Sequence, residues 1–132
     1  MKEPEIPAKT KKFLRRLADK YETCCFCDSD PSCVLHRYTD AADVETAAFI
    51  MAVLSFGRRD LFMKKADMIF SGAGAHPAEW IRSGTWKKTF PGGSGKFYRF
   101  YSYDDIRDVF AVLQNILHQE KTFGAYMKKR YN

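Results

Sequence analysis

No stretch of this chain is apolar for long enough to cross a bilayer. A span needs roughly 18 apolar residues, and the longest candidate, Ala47 to Leu54, runs into Ser55, Gly57, Arg58 and Arg59. No membrane partner is expected. The start, Met1-Lys2-Glu3-Pro4-Glu5-Ile6-Pro7, has neither the apolar stretch nor the small-residue cleavage site of a secretory signal. That points to a cytoplasmic protein with reduced thiols. Cysteine is scarce, 4 in 132 residues, and the expected core is large enough to fold without disulfides. Internal repeats are lacking, as is any linker long enough to separate two domains. Acid is in deficit, 16 Asp and Glu against 22 Lys and Arg, which leaves a net charge of +6.

What is present is material for one apolar core. Apolar residues make up 45% of the chain and include 11 Phe and 7 Tyr, and a chain of this length buries roughly two thirds of its unfolded surface. The cations cluster: Lys9, Lys11, Lys12, Arg15, Arg16 and Lys20 near the start, Lys128, Lys129 and Arg130 near the end. Such runs attract phosphates, or serve as solvated helix faces.

Periodicity predicts helices over most of the length. Phe13, Leu17 and Tyr21, with Leu14 and Ala18 alongside, predict an amphipathic helix over Lys9 to Tyr21 whose apolar stripe docks on the core; residues 1–8 are expected to be flexible. Cys24 to Thr39 lacks helical periodicity and reads as a loop turning at Pro31. Asp40 or Asp43 caps the next helix, whose apolar residues Val44, Ala47, Ala48, Met51 and Leu54, flanked by Phe49, Ile50 and Val53, predict a buried central element. Gly57 breaks it, Asp60 is a candidate second cap, and Leu61, Phe62, Ala66, Ile69 and Phe70 continue the pattern. Pro77 and Glu79 open a short helix that Gly84 ends, and residues 85–95 are expected to be a mobile loop. Lys96 to Tyr101 alternates weakly. Ser102 and Asp105 match a capping box ahead of a stripe of Ile106, Val109, Phe110, Leu113, Ile116 and Leu117, and Thr122 to Tyr131 predicts a last helix. The expected fold is all-α: a compact multi-helix single domain over residues 1–132, with a buried central helix and one long loop rich in Gly, Lys and aromatics.

Several constellations are candidates for chemistry. Cys24, Cys27, Cys33 and His36 read as C-x2-C-x5-C-x2-H, two pairs that would supply four zinc ligands; the alternative is small buried cysteines beside a hydrogen-bonded histidine. A Cys and His pair also suits nucleophilic catalysis, but no oxyanion hole or orienting third residue is recognisable. Gly92-Gly93-Ser94-Gly95-Lys96 imitates a phosphate loop and fails at both ends, where Phe90 and Phe97 stand. Asp43 and Glu45, with Asp40, are candidate paired carboxylates for acid/base or metal chemistry, although a first helical turn already favours acids. Between Trp86 and Tyr103, Lys87, Lys88, Lys96 and Arg99 interleave with Phe97, Tyr98, Phe100 and Tyr101, which suits phosphate contact with base stacking or aromatic anchoring of a loop. Arg58, Arg59 and Lys64 extend the nucleic-acid candidates.

Asp30-Pro31, His36-Arg37-Tyr38, Asp43-Val44-Glu45, the run Phe49 to Gly57, and Tyr98-Arg99-Phe100 with Asp105 downstream together resemble an uncharacterised bacterial family, the domain of unknown function 2400. The resemblance implies no activity. It marks His36, Arg37, Asp43, Glu45 and Arg99 as a candidate polar cluster, and it implies an N-terminal part or a shortened member, because the family's proteins are longer. Leu54-Ser55, Asp60 and Lys65-Ala66 more faintly resemble the early helical pair of helix-hairpin-helix DNA glycosylases of the endonuclease III kind. Gly57 replaces the glutamine usual there, and the hairpin with its catalytic Lys and Asp has no counterpart. The expectation is a helical protein that binds DNA or RNA without independent catalysis and without a cofactor. The alternatives are a partial glycosylase-like enzyme, completed by self-association or a partner chain, and a zinc-dependent interaction module.

Overall fold

The computed structural model describes residues 6–23 and 30–131. The chain forms helix α1 (Ala8–Tyr21), a 3-10 helix (Pro31–Arg37), α2 (Ala41–Leu54), α3 (Arg59–Ala73), α4 (Pro77–Arg82), α5 (Trp86–Thr89), strands β1 (Lys96–Tyr98) and β2 (Tyr101–Ser102), α6 (Tyr103–Gln119) and α7 (Phe123–Tyr131). It is an all-α domain with one small antiparallel ribbon, and no helix among the described residues is long and apolar enough to cross a membrane.

Helix α2 is the centre. Asp40 caps it by accepting from the N–H groups of Ala42 (3.0 Å) and Asp43 (3.3 Å), and its buried side includes Ala47, Ile50, Met51 and Leu54. The 3-10 helix, α4, α3 and α7 pack around it. Helix α6 closes the core from the far side of α4 with Ile106, Phe110, Leu113 and Leu117. Around Phe110, the rings of Trp80, Trp86 and Phe90 meet it edge-on at 5.1 to 5.7 Å between centroids, the arrangement that aromatic quadrupoles favour.

Helix α6 starts as its sequence predicts. The Ser102 hydroxyl accepts from Asp105 N–H (3.1 Å), and the Asp105 carboxylate accepts from Ser102 N–H (2.6 Å). Each satisfies a backbone donor that the first turn leaves unpaired.

Four expectations change. Helix α1 forms but buries none of its residues; Phe13, Leu14 and Tyr21 remain about half exposed. The packing around α2 is made instead by the 3-10 helix, α4, α3 and α7. That 3-10 helix lies within the predicted loop, where Asp30 accepts from Ser32 N–H (2.9 Å) and Pro31 supplies a preset φ. Asp60 is not a cap: Arg58 holds that position, and the Asp60 carboxylate takes both forks of the Arg58 guanidinium, at 3.1 and 2.8 Å. Within residues 85–95, α5 is helical and anchored by buried Trp86 and Phe90. The glycines after it are tied to α6, Gly93 N–H donating to Asp104 Oδ1 at 2.7 Å.

Candidate nucleic-acid interface

Three of the five residues in the candidate polar cluster are committed to different partners. Arg37 pairs with Asp67 at 3.3 Å. Asp43 is buried on α2 and reaches the start of α4, where Oδ1 accepts from Ala78 N–H (2.9 Å) and Oδ2 lies 3.2 Å from His76 Nδ1. Glu45 accepts from Gly124 N–H (2.7 Å) at the start of α7. Asp43 and Glu45 are thus not paired carboxylates facing one substrate. Each fastens a different helix N-terminus to α2, where free N–H groups and the helix dipole favour an anion. Between Arg37 and Asp43, burial pushes the Tyr38 hydroxyl above its ordinary pKa, the Arg37 charge lowering it and the Asp43 charge raising it. His36 is exposed on the 3-10 helix. Arg99 belongs to a different neighbourhood.

That neighbourhood is the corner between α2 and α3, over which the β1–β2 ribbon folds. Tyr98 donates its hydroxyl to the Phe56 carbonyl. Gly57 has φ +80°, and a Cβ there would lie 3.0 Å from Tyr98 Oη and 3.3 Å from the Arg99 guanidinium, so glycine is required both for the turn and for the close approach. Arg99 itself has φ +54°. A positive φ at the first position of a two-residue hairpin turn is ordinarily a glycine's conformation.

The second turn position carries Phe100. Its neighbours Phe97 and Tyr98 are 2% and 5% exposed, whereas Phe100 is 76% exposed. The Phe56 ring backs it at 5.1 Å between centroids and 19° from parallel, and Tyr101 meets it edge-on at 4.8 Å. Arg58, Arg59 and Arg99 are exposed around this pair, and exposed Lys96 lies at the other end of the ribbon. Lys64 is exposed further along α3.

Lys87 and Lys88 sit apart from the corner, on α5. Lys87 Nζ lies 5.4 Å from the Trp86 ring centre, and Arg107 reaches the same ring (5.1 Å) and the carbonyls of Lys87 and Phe90.

Of the candidate zinc ligands, Cys24 and Cys27 lie outside the described residues. Cys33 packs half-buried against the core, and among the described residues no three His, Cys, Asp or Glu side chains gather as metal ligands. A hollow of about 600 Å³, lined in part by Asp40, Arg82, His118 and Glu120, is wide and internally satisfied. Arg82 donates to the Leu117 and Lys121 carbonyls, and His118 Nε2 lies 2.8 Å from the Arg82 carbonyl.

The sequence held two signals for the aromatic corner without joining them. Phe100 stood among the interleaved aromatics, but Phe56 had no marked role, and only the fold places the two in contact. Residues 30–132 match a family model described as protein of unknown function (DUF2400). No curated protein and no solved structure matches, and the fainter likeness to DNA glycosylases rests on Leu54-Ser55, Asp60 and Lys65-Ala66 alone.

Proposed function

The chain belongs to the family of proteins of unknown function 2400, matched from residue 30 to residue 132, and from that starting point we propose that it is a nucleic-acid-binding helical domain without chemistry of its own. The observation that carries this reading is the exposed Phe100 ring, backed by Phe56, with exposed Arg99 beside it in the turn and exposed Arg59 at the start of α3. An apolar ring held at the surface is unfavourable in water, and cations beside it suit a ligand with both a flat face and phosphates.

Fluorescence anisotropy with a labelled oligonucleotide of mixed sequence tests it. Binding is expected at about 50 mM salt and should weaken steeply by about 200 mM as neutralised phosphates release counterions. Absence of binding at the lower salt removes the proposal.

A second reading, association with another chain, is favoured by the uncovered apolar side of α1 and by a shallow hollow of about 240 Å³ lined by Phe49, Asp108, Val109 and Val112. Light scattering during gel filtration tests self-association. A strict monomer across a wide concentration range excludes it.

A further inference from the structure

We infer that the aromatic corner is a one-faced stacking platform for an unpaired nucleobase, so that its ligand is a single strand, or a duplex interrupted by an unstacked nucleotide, and not continuous duplex. This rests on the nucleic-acid reading above and narrows it to one substrate class.

The argument begins with the two faces of Phe100. One is covered by the nearly parallel Phe56 ring, and Tyr101 holds the edge. Phe56 is itself braced by Tyr98 and Tyr101, at 5.2 and 5.6 Å between centroids, and Tyr98 is pinned through its hydroxyl to the Phe56 carbonyl. The platform is therefore oriented before any ligand arrives, which lowers the ordering cost of binding. Only the remaining face is available, and it accounts for the high exposure of the ring.

A wedge that enters a duplex between two base pairs needs both faces of its side chain free, because it is sandwiched when inserted. Phe100 has one. In intact duplex the base faces are already occupied by their neighbours, and only base edges look into the grooves. A single free aromatic face meets a base face only where the base is unstacked, as in single strands, bulges and ends.

The charges agree with this geometry. Arg99 occupies the turn position next to Phe100, and its guanidinium lies down against Gly57, where no side chain displaces it. It is thus held at the Gly57 side of the corner, next in sequence to the ring, where it supplies a cation for the sugar-phosphate chain of a stacked nucleotide. Arg59 and Lys96 extend that border along the corner and the ribbon.

The test compares four probes of one sequence by anisotropy at about 100 mM salt: single-stranded DNA, single-stranded RNA, blunt duplex DNA, and the same duplex with one bulged nucleotide. The single-stranded DNA and the bulged duplex are expected to bind roughly tenfold tighter than the blunt duplex, a ratio within the range of one base-aromatic stack. Phe100→Ala should remove that preference, weakening the single-stranded and bulged probes by roughly tenfold relative to the blunt duplex, and Phe100→Trp should keep it. Both variants change an exposed side chain, and unchanged thermal melting would confirm that they fold. The RNA arm identifies the strand type: RNA as tight as DNA means the platform reads the base alone, and either result supports the proposal while the single-strand preference depends on Phe100. Replacing Lys12, Arg16 and Lys20 of α1 by Gln should weaken all probes by a similar factor. Equal affinity for every probe, or a preference that survives Phe100→Ala, overturns the platform while polyanion binding stands. No binding to any probe overturns both readings.

Discussion

Replacing Asp43 tests whether this carboxylate is a fastener or part of a reactive site. It is 4% exposed, and its Oδ1 accepts from Ala78 N–H at 2.9 Å. Asp43→Ala leaves that buried donor without a partner, which costs roughly 1–3 kcal/mol. The contact to His76 adds little, because the imidazole is 76% exposed and an exposed pair is worth about 0–1 kcal/mol. The expected loss is therefore about 2–3 kcal/mol. At a urea slope of about 1–3 kcal/mol/M, the midpoint should fall by roughly 1–2 M. Asp43→Asn keeps an acceptor oxygen in the same place and should lose less than half as much. Urea unfolding followed by circular dichroism measures both variants. An alanine variant within about 0.5 kcal/mol of the parent would refute the reasoning, since surface substitutions commonly fall in that range. So would an asparagine variant as damaged as the alanine one, because the charge and not the acceptor would then be what matters.

Three further outcomes are expected. Arg99→Gly should leave stability unchanged or raise it by up to about 1 kcal/mol, because glycine adopts the positive φ without the Cβ penalty while giving back some unfolded-state entropy; the same variant should bind oligonucleotides more weakly, and a marked drop in melting temperature would contradict the turn geometry. Leu14→Ser, on the exposed side of α1, should change the unfolding free energy by no more than about 0.5 kcal/mol, whereas Leu113→Ala, fully buried on α6, should cost about 2–5 kcal/mol. Hydrogen bonds from the Ser102 N–H and then its hydroxyl hold the Asp105 carboxyl below its ordinary value of 3.8; a carboxylate depressed by folding adds stability that is fully present above the unfolded value and is lost as pH falls through the folded one. Asp105→Asn should thus flatten the acid side of the melting-temperature profile, and parallel profiles for parent and variant would count against that linkage.

What the sequence made legible was local. The Ser102 and Asp105 cap involves residues three apart, and the stripe of α6 repeats within single turns, so neither depends on the rest of the chain. Asp43 shows where local reasoning stops. An acid in a first helical turn already has an explanation in its own helix dipole, yet its carboxylate serves Ala78, 35 residues on. The amphipathy of α1 was equally readable, but periodicity reports that a helix has an apolar side and not what covers it. At the ribbon, the adjacent Phe97 and Tyr98 are both buried while Phe100 is exposed, an arrangement that follows from an irregular register and a turn with positive φ at Arg99. Neither is encoded in a two-residue alternation. The family, matched over residues 30–132, was legible in separated motifs taken together, none of which identifies a ligand.

The uncovered helix α1 also decides where the molecule keeps its charge. Ala8–Tyr21 contains six cations and one carboxylate, so five of the six net positive charges of the chain belong to it and the remainder is close to electroneutral. A helix of this length that buries no residue gains little stability from core packing, and isolated helices shorter than about 12–15 residues are marginal in water. Trypsin cleaves after Lys and Arg where the backbone opens, and α1 offers six such bonds. A brief digest would strip the cationic segment before it reached α2, leaving a folded remainder of lower net charge that leaves a cation-exchange resin at lower salt than the intact chain. The sequence isoelectric point of about 9.2 therefore describes, in the main, one protease-sensitive helix and not the surface of the packed domain.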